Sequence, residues 1–274
     1  MTGTLYIVST PIGHLGDITR RALQVLGEVD VVAAEDTRRS GQLLDALDIR
    51  ARLVSCHDHN ETERSPKLVA QLLAGQSVAL ISDAGTPLVS DPGYRLVRAC
   101  QEAGITVVPI PGASAVLAAL AVAGLPTDRF VFEGFLPSKG GPRAQALQRI
   151  LANSATSVLF EAPHRVLALL ESLVAAGAAE REIALCRELT KKFETVRRAT
   201  VAELLAWVAA DSDQQRGEIV LVLAGADDSA RENAELLPLA KALLEELPAS
   251  RAARVLAAVT PRKRQELYAW LETL

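Results

Sequence analysis

The sequence predicts an α/β protein made of two α/β domains, residues 1–118 and 119–226, followed by a small C-terminal helical tail over 227–274. Three observations carry this. Through the first half, short β-rich runs alternate with segments of helix length, the pattern of βαβ units on a parallel sheet. Past Pro126 the strands continue with fewer crossovers between them, which implies a mixed sheet. From Asp227 the chain turns to helix formers punctuated by Pro248 and Pro261. A length of 274 residues suits two domains of about 150 each.

Taken in order, the first domain has strand candidates at Leu5–Val8, Val29–Ala34, Arg52–Ser55, Val78–Ile81 and Thr106–Val108. Helix candidates lie between and after them at Ile18–Leu26, Arg39–Leu47, Thr62–Leu73, Tyr94–Ala103 and Ser114–Ala123, with Asp17 and Ser114 as expected N-caps. Phe130–Leu136 is the next strand, and Pro137–Arg143 reads as a flexible polar loop. Strands at Ser157–Phe160, Glu182–Cys186, Thr195–Arg198 and Glu218–Leu223 accompany helices at Arg165–Ala176 and Val201–Ala209. The tail reads as three short helices, Leu236–Leu247, Arg251–Val259 and Lys263–Leu271, with a basic cluster at Arg262-Lys263-Arg264.

Composition narrows the function. Aromatics make up 4%, so the core is built from aliphatic side chains. A net charge of −4 excludes a protein that coats nucleic acid wholesale, so any such contact rests on a local patch. Cys56, Cys100 and Cys186 stand too far apart for a zinc site and are too few for a disulfide framework, which predicts reduced thiols in a cytoplasmic protein. Ile105–Thr127 is uncharged but interrupted by Pro109, Pro111, Gly112 and Gly124, so no membrane span is expected. The start of the chain is a strand pattern and predicts no signal peptide.

In open α/β sheets, ligands bind beyond the carboxyl ends of the strands. The loop Ser9–Asp17 carries Pro11, Gly13 and Gly16 between a strand and a helix, and it is not a GxGxxG fingerprint. Glu35-Asp36-Thr37-Arg38 has two readings: its two acids as general base and orienting group, or Asp36 as a helix cap with charges favouring the helix N-terminus. Ile81–Gly93 is unusually long for a strand-to-helix connection and is rich in Gly, Pro, Asp and Ser. Pro111–Ala115 places small residues at a helix N-terminus. His57–Glu61 has metal-ligand residue types but no second ligand set, so no metal is expected.

Together Val8–Gly13, Glu35–Arg38, Ser82–Pro87 and Pro111–Ala115 resemble the tetrapyrrole-methylase-like superfamily. Phe132–Pro137, Glu161–Arg165, Arg187–Lys191 and Gly217–Leu221 extend the resemblance to the bacterial small-subunit ribosomal RNA cytidine 2′-O-methyltransferases within it. The match runs in order over most of the chain and departs at His14, where that family has Asn. The resemblance implies two α/β domains of the tetrapyrrole methylase type, a cleft between them for S-adenosyl-L-methionine, and a cytoplasmic homodimer. Its cofactor contacts fall on Pro11, Asp83, Ala84, Gly85, Thr86, Ser114 and Ala115, and from the second domain on Phe160, Glu161, Ala162, Gly217, Glu218 and Ile219.

Transfer to a ribose hydroxyl calls for a proton acceptor, a role open to Asp36, Asp17, Asp58, His57 and Lys191, of which Asp36, Asp17 and Lys191 are selected as candidates. Small-subunit ribosomal RNA, within an assembled subunit, is the expected partner, with Arg20, Arg21, Arg38, Arg39, Lys139, Arg143 and Lys192 as phosphate donors. Two other readings compete: a small-molecule methyltransferase of the same fold acting on a tetrapyrrole, and a non-catalytic RNA-binding protein that uses the tail.

Overall fold

β2 (Val31–Ala34) and β4 (Val78–Ile81) are buried at every position, as strands covered by helices on both faces must be. They lie side by side in an all-parallel sheet of order β3-β2-β4-β1-β5, completed by β1 (Thr4–Val8), β3 (Leu53–Ser55) and β5 (Thr106–Ile110). The two-residue side-chain period divides the core. Leu5, Val31, Ala33, Val78 and Leu80 pack on α3 (Glu61–Leu73) and α4 (Tyr94–Glu102). Val8, Val32, Ala34, Ala79 and Ile81 face α1 (Arg20–Glu28) and α2 (Thr37–Ala46). β5 runs two residues past its predicted end through Pro109, because an edge strand tolerates a residue that cannot donate to a further neighbour.

The second sheet has the order β6-β7-β10-β8-β9 and is mixed: β6 (Phe130–Phe135) runs parallel to β7 (Thr156–Glu161) and the other pairs are antiparallel. Its remaining strands are β8 (Glu182–Arg187), β9 (Thr195–Thr200) and β10 (Ile219–Leu223). One face packs on α6 (Gly140–Ala152), α7 (Val166–Ala175) and α8 (Val201–Ala210). The other face packs on α5 (Ala115–Ala123), whose Val116, Ala119, Leu120 and Ala123 meet Val158, Ala184, Cys186, Val220 and Val222. The 118/119 border therefore falls inside a helix that covers the second sheet.

Three local expectations are corrected. Pro137–Arg143 is not all loop: α6 begins at Gly140, since Gly and Pro are tolerated in a first turn where N–H groups have no helical partner. Thr19, not Asp17, caps α1 by accepting the Ala22 N–H at 3.1 Å, while Asp17 ends a short 3₁₀ turn. Ser114 sits at the N-cap of α5, but its side chain makes no capping bond.

The structure, a computed structural model, describes residues 2–226 and 229–274, so Asp227, the predicted start of the tail, lies outside the described residues. The chain divides into two units, 1–225 and 226–274. The second unit holds α9 (Ser229–Glu246), α10 (Ala249–Val259) and α11 (Arg264–Leu271) around Ala240, Ala252, Ala253, Leu256, Leu267 and Leu271. Among the described residues, no helix is long and apolar enough to cross a membrane. The three cysteines are buried and free, and burial pushes their thiols up to about 11 for Cys56 and Cys100 and about 12 for Cys186.

Candidate active site

The loops leaving the carboxyl ends of the first sheet are tied to one another. Thr10 N–H donates to the Gly85 carbonyl at 2.8 Å, and Gly85 N–H returns a bond to the Thr10 carbonyl at 3.0 Å. The Thr86 hydroxyl lies 3.0 Å from Ser9 Oγ and donates to the Ala113 carbonyl at 3.1 Å. Gly85 adopts φ +81°, and a Cβ there would come within 3.3 Å of Ile12 Cγ2. In the same connection Leu88 (φ +72°) and Ser90 (φ +65°) are left-handed without being glycine, a conformation that costs of order 1–3 kcal/mol each and persists only where the surroundings hold it.

The facing wall comes from the second sheet. β7 and β10 are antiparallel, so the carboxyl end of one meets the amino end of the other, with Ile219 opposite Glu161. Gly217, which leads into β10, has φ +79°, and a Cβ on it would lie 2.5 Å from the Glu188 carboxyl carbon. That carboxylate accepts the Glu218 N–H at 2.8 Å and so sets the strand entry. Phe160 is held edge-on by Phe132 and Phe135, with ring centroids 4.9 and 5.5 Å away.

Between the walls lies a cavity of about 490 Å³ lined by Asp83–Thr86, Ser114, Ala115, Phe160–Ala162 and Gly217–Ile219. Every predicted cofactor contact thus reaches one cavity except Pro11, which is buried while its neighbour Ile12 lines the wall. The Glu161 side chain is fully enclosed and occupied: it accepts from Arg165 Nε at 2.6 Å and from Arg143 Nη2 at 3.4 Å. Because Ser114 leaves the first turn of α5 uncapped, that helix start is open to a ligand.

One end of the cavity is acidic. Glu35, Asp83 and Asp91 line it together with Arg39, whose Nη1 donates to Asp83 Oδ2 at 3.0 Å. Burial pushes the Asp91 carboxyl up to about 6, and the charges of Asp83 and Asp58 add to the shift against a Ser82 hydrogen bond that lowers it. Glu35 is raised for the same reasons, burial first and then repulsion by Asp91 and Asp83. Sequence reasoning weighed Glu35 with Asp36 as general base or orienting group, but did not select Asp91, although it lies in a loop that was singled out.

The three proton-acceptor candidates fall outside the lining. Asp36 caps α2, accepting the Arg38 N–H at 2.9 Å and the Arg38 guanidinium, and those bonds hold its carboxyl well below the usual range. Its own N–H donates to Asp83 Oδ1 at 3.1 Å. Asp17 is exposed. Lys191 pairs with Glu188 and Glu218, each at 3.0 Å, and these partners raise its pKa against the opposing effect of burial. At His14, the family's Asn position, Nδ1 accepts the Gly16 N–H at 3.1 Å, so an acceptor is retained.

Of the predicted phosphate donors, Arg39 reaches the cavity and Arg38 is paired with Asp36. Arg20 and Arg21 are exposed at the start of α1, and Lys139 and Lys192 are exposed elsewhere on the first unit. Arg143 is largely buried, so its expected role as an RNA contact gives way to the Glu161 ion pair. Asn60 and Glu61 in the His57–Glu61 stretch serve structure: Asn60 accepts the His57 N–H, and buried Glu61 accepts the Leu96 N–H at 3.1 Å at the start of α4. Among the described residues, no group of three or more His, Cys, Asp or Glu side chains is arranged to hold a metal ion.

Residues 4–205 match the family model of Tetrapyrrole (Corrin/Porphyrin) Methylases, and residues 230–274 match that of the RsmI C-terminal HTH domain. The chain is 51% identical over 269 residues to Ribosomal RNA small subunit methyltransferase I of Escherichia coli O157:H7, covering 97% of this chain and 93% of the relative. The protein of the same name from Mesorhizobium japonicum is 52% identical over 264 residues, covering 96% and 90%. Among solved structures, diphthine synthase superposes with a TM-score of 0.64 at 18% identity over 81% of this chain and 90% of that one. Uroporphyrin-III-C-methyltransferase from Thermus thermophilus gives 0.58 at 23% identity over 81% and 94%. The structural likenesses establish the fold alone.

Proposed function

The chain belongs to the tetrapyrrole methylase family, and from that premise we propose that it transfers a methyl group from S-adenosyl-L-methionine to the ribose 2′-oxygen of a cytidine in small-subunit ribosomal RNA. The observation that carries the reading is the identity of about half, over nearly full length, to proteins named for small-subunit ribosomal RNA methylation. The tetrapyrrole-modifying proteins resemble the chain in fold only, at 18–23% identity.

The cavity fits the donor in size and charge. S-adenosylmethionine supplies a methyl group carried on a positively charged sulfonium. Asp83–Thr86, Ser114, Ala115, Phe160–Ala162 and Gly217–Ile219 would hold it, with small side chains and exposed backbone groups against the adenosine. The carboxylates at the acidic end favour bound positive charge. Positioning supplies much of the rate enhancement for such a displacement.

Asp91 takes the role of proton acceptor. It lines the cavity, faces other carboxylates rather than a guanidinium, and titrates near the operating pH, as an efficient general base requires. Asp36 positions Asp83 through its N–H, and Lys191, held as a cation, anchors the Glu218 side of the opposite wall. The assembled subunit as acceptor, the homodimer and the cytoplasmic setting belong to the same proposal, and the ribosomal RNA acceptor is supported by the names of the relatives.

The test is product identification. Purified protein, methyl-labelled S-adenosylmethionine and small subunits lacking native modifications are incubated, and the RNA is digested to nucleosides. Labelled 2′-O-methylcytidine is the expected product. Label on another nucleoside, or none, rejects the assignment.

A further inference from the structure

In the first unit the cleft is acidic, and many arginines near it are occupied within the protein. Arg38 pairs with Asp36, Arg39 with Asp83, and Arg143 and Arg165 with Glu161. A cleft of that charge repels a phosphate backbone, so RNA affinity has to come from another surface.

The second unit segregates its charge. Between Glu246 and Glu266 the chain carries five basic residues and no acidic one. α10 buries Ala252, Ala253 and Leu256, and exposes Arg251, Arg254, Val255, Ala258 and Val259 on its opposite side, at i, i+3, i+4, i+7, i+8 spacing. Thr260–Lys263 then forms a four-residue turn into α11, the layout of a helix-turn-helix.

The basic triplet in that turn divides its labour. Arg262 donates to Asn233 Oδ1 and its guanidinium stands 5.8 Å from the centre of the Trp270 ring, which ties the turn to α9 and α11. Lys263 and Arg264 are exposed at the start of α11. Among the described residues, neither they nor Arg251 and Arg254 form an ion pair.

We infer that the outward face of α10 and the start of α11 form a docking surface for the phosphate backbone of ribosomal RNA, with Arg251, Arg254, Lys263 and Arg264 as its contacts and Arg262 as the residue that holds the turn. The inference rests on the RNA acceptor proposed above. The unequal roles within Arg262-Lys263-Arg264 are its specific content: two side chains engage phosphate and the third supports them.

The experiment measures equilibrium binding of the full-length protein to small ribosomal subunits across a salt series, so it does not depend on methyl transfer. Combined Arg251→Gln, Arg254→Gln, Lys263→Gln and Arg264→Gln substitution is expected to weaken binding at least tenfold near physiological salt. It should flatten the log-affinity against log-salt slope by about 3, at roughly 0.7–0.9 for each phosphate no longer neutralised. S-adenosylmethionine affinity and the thermal midpoint are expected to stay at parental values. The combined Arg251→Lys, Arg254→Lys and Arg264→Lys variant is expected to bind within about threefold of the parent, because phosphate is recognised there as a point charge. Parental affinity and slope in the glutamine variant would overturn the inference, as would a lysine variant as weak as the glutamine one. Failure of the parent to methylate subunits that it binds through this face would count against the methyltransferase reading alone.

Discussion

β2 and β4 are neighbours in the first sheet, and the connections that leave them carry acids of opposite character. Asp36, after β2, is spent on an α2 N–H and on Arg38, and its carboxyl is held far below the ordinary range. Asp91, after β4, lies half-buried among Glu35, Asp83 and Asp58, and its carboxyl is pushed up to about 6. The two residues are the same in type and both follow strands of one sheet. What separates them is solvation and partner: a carboxylate bound to a guanidinium and a helix start is a poor proton acceptor, and one crowded by like charge is a good one.

The largest effect that sharpens this contrast is catalytic. Asp91→Asn is expected to slow single-turnover methyl transfer by about 10²–10⁴-fold with S-adenosylmethionine affinity changed far less, read by rapid quench and calorimetry. Equal loss from Asp36→Asn would break the contrast.

A third carboxylate, Glu161, is the most enclosed of the three and is paired with Arg143 and Arg165. Glu161→Gln leaves two arginines facing an amide and is expected to cost about 3 kcal/mol in denaturant unfolding.

Stability against pH separates the pair next. Asp91 binds its proton more tightly folded than unfolded, so its ionisation removes stability as pH rises from about 4 through 6. Asp91→Asn is therefore expected to melt higher than the parent at pH 7–8, with the two curves converging below about pH 4, where the parental carboxyl is neutral in both states. The smallest effect belongs to Asp36→Ala, which removes a cap and is expected to lower the melting temperature by about 2 °C.

The motifs that line the cavity were legible in the sequence because most lie in loops at strand ends or strand entries, where an open α/β sheet gathers its ligands. Asp91 was not, because its environment depends on strand order. Asp58, Glu35 and Asp91 follow β3, β2 and β4, which lie side by side although α2 and α3 separate them along the chain. Arg143 was misjudged for the same reason: its neighbours in sequence are polar, but its partner Glu161 arrives on β7. α6 was hidden by a Gly-Gly-Pro start that reads as a turn, and the first turns of α9, ahead of the predicted start at Leu236, by a polar stretch without apolar periodicity.

The most direct test of the central claim is the pH dependence of single-turnover methyl transfer to unmodified small subunits by the parent, Asp36→Asn and Asp91→Asn, with donor saturating throughout. The parent and Asp36→Asn are expected to share a rate that climbs with pH through about 6 and then levels. Asp91→Asn is expected to run at least a hundredfold slower and to lose that limb. An Asp91→Asn protein with the parental rate and the parental limb would contradict the account.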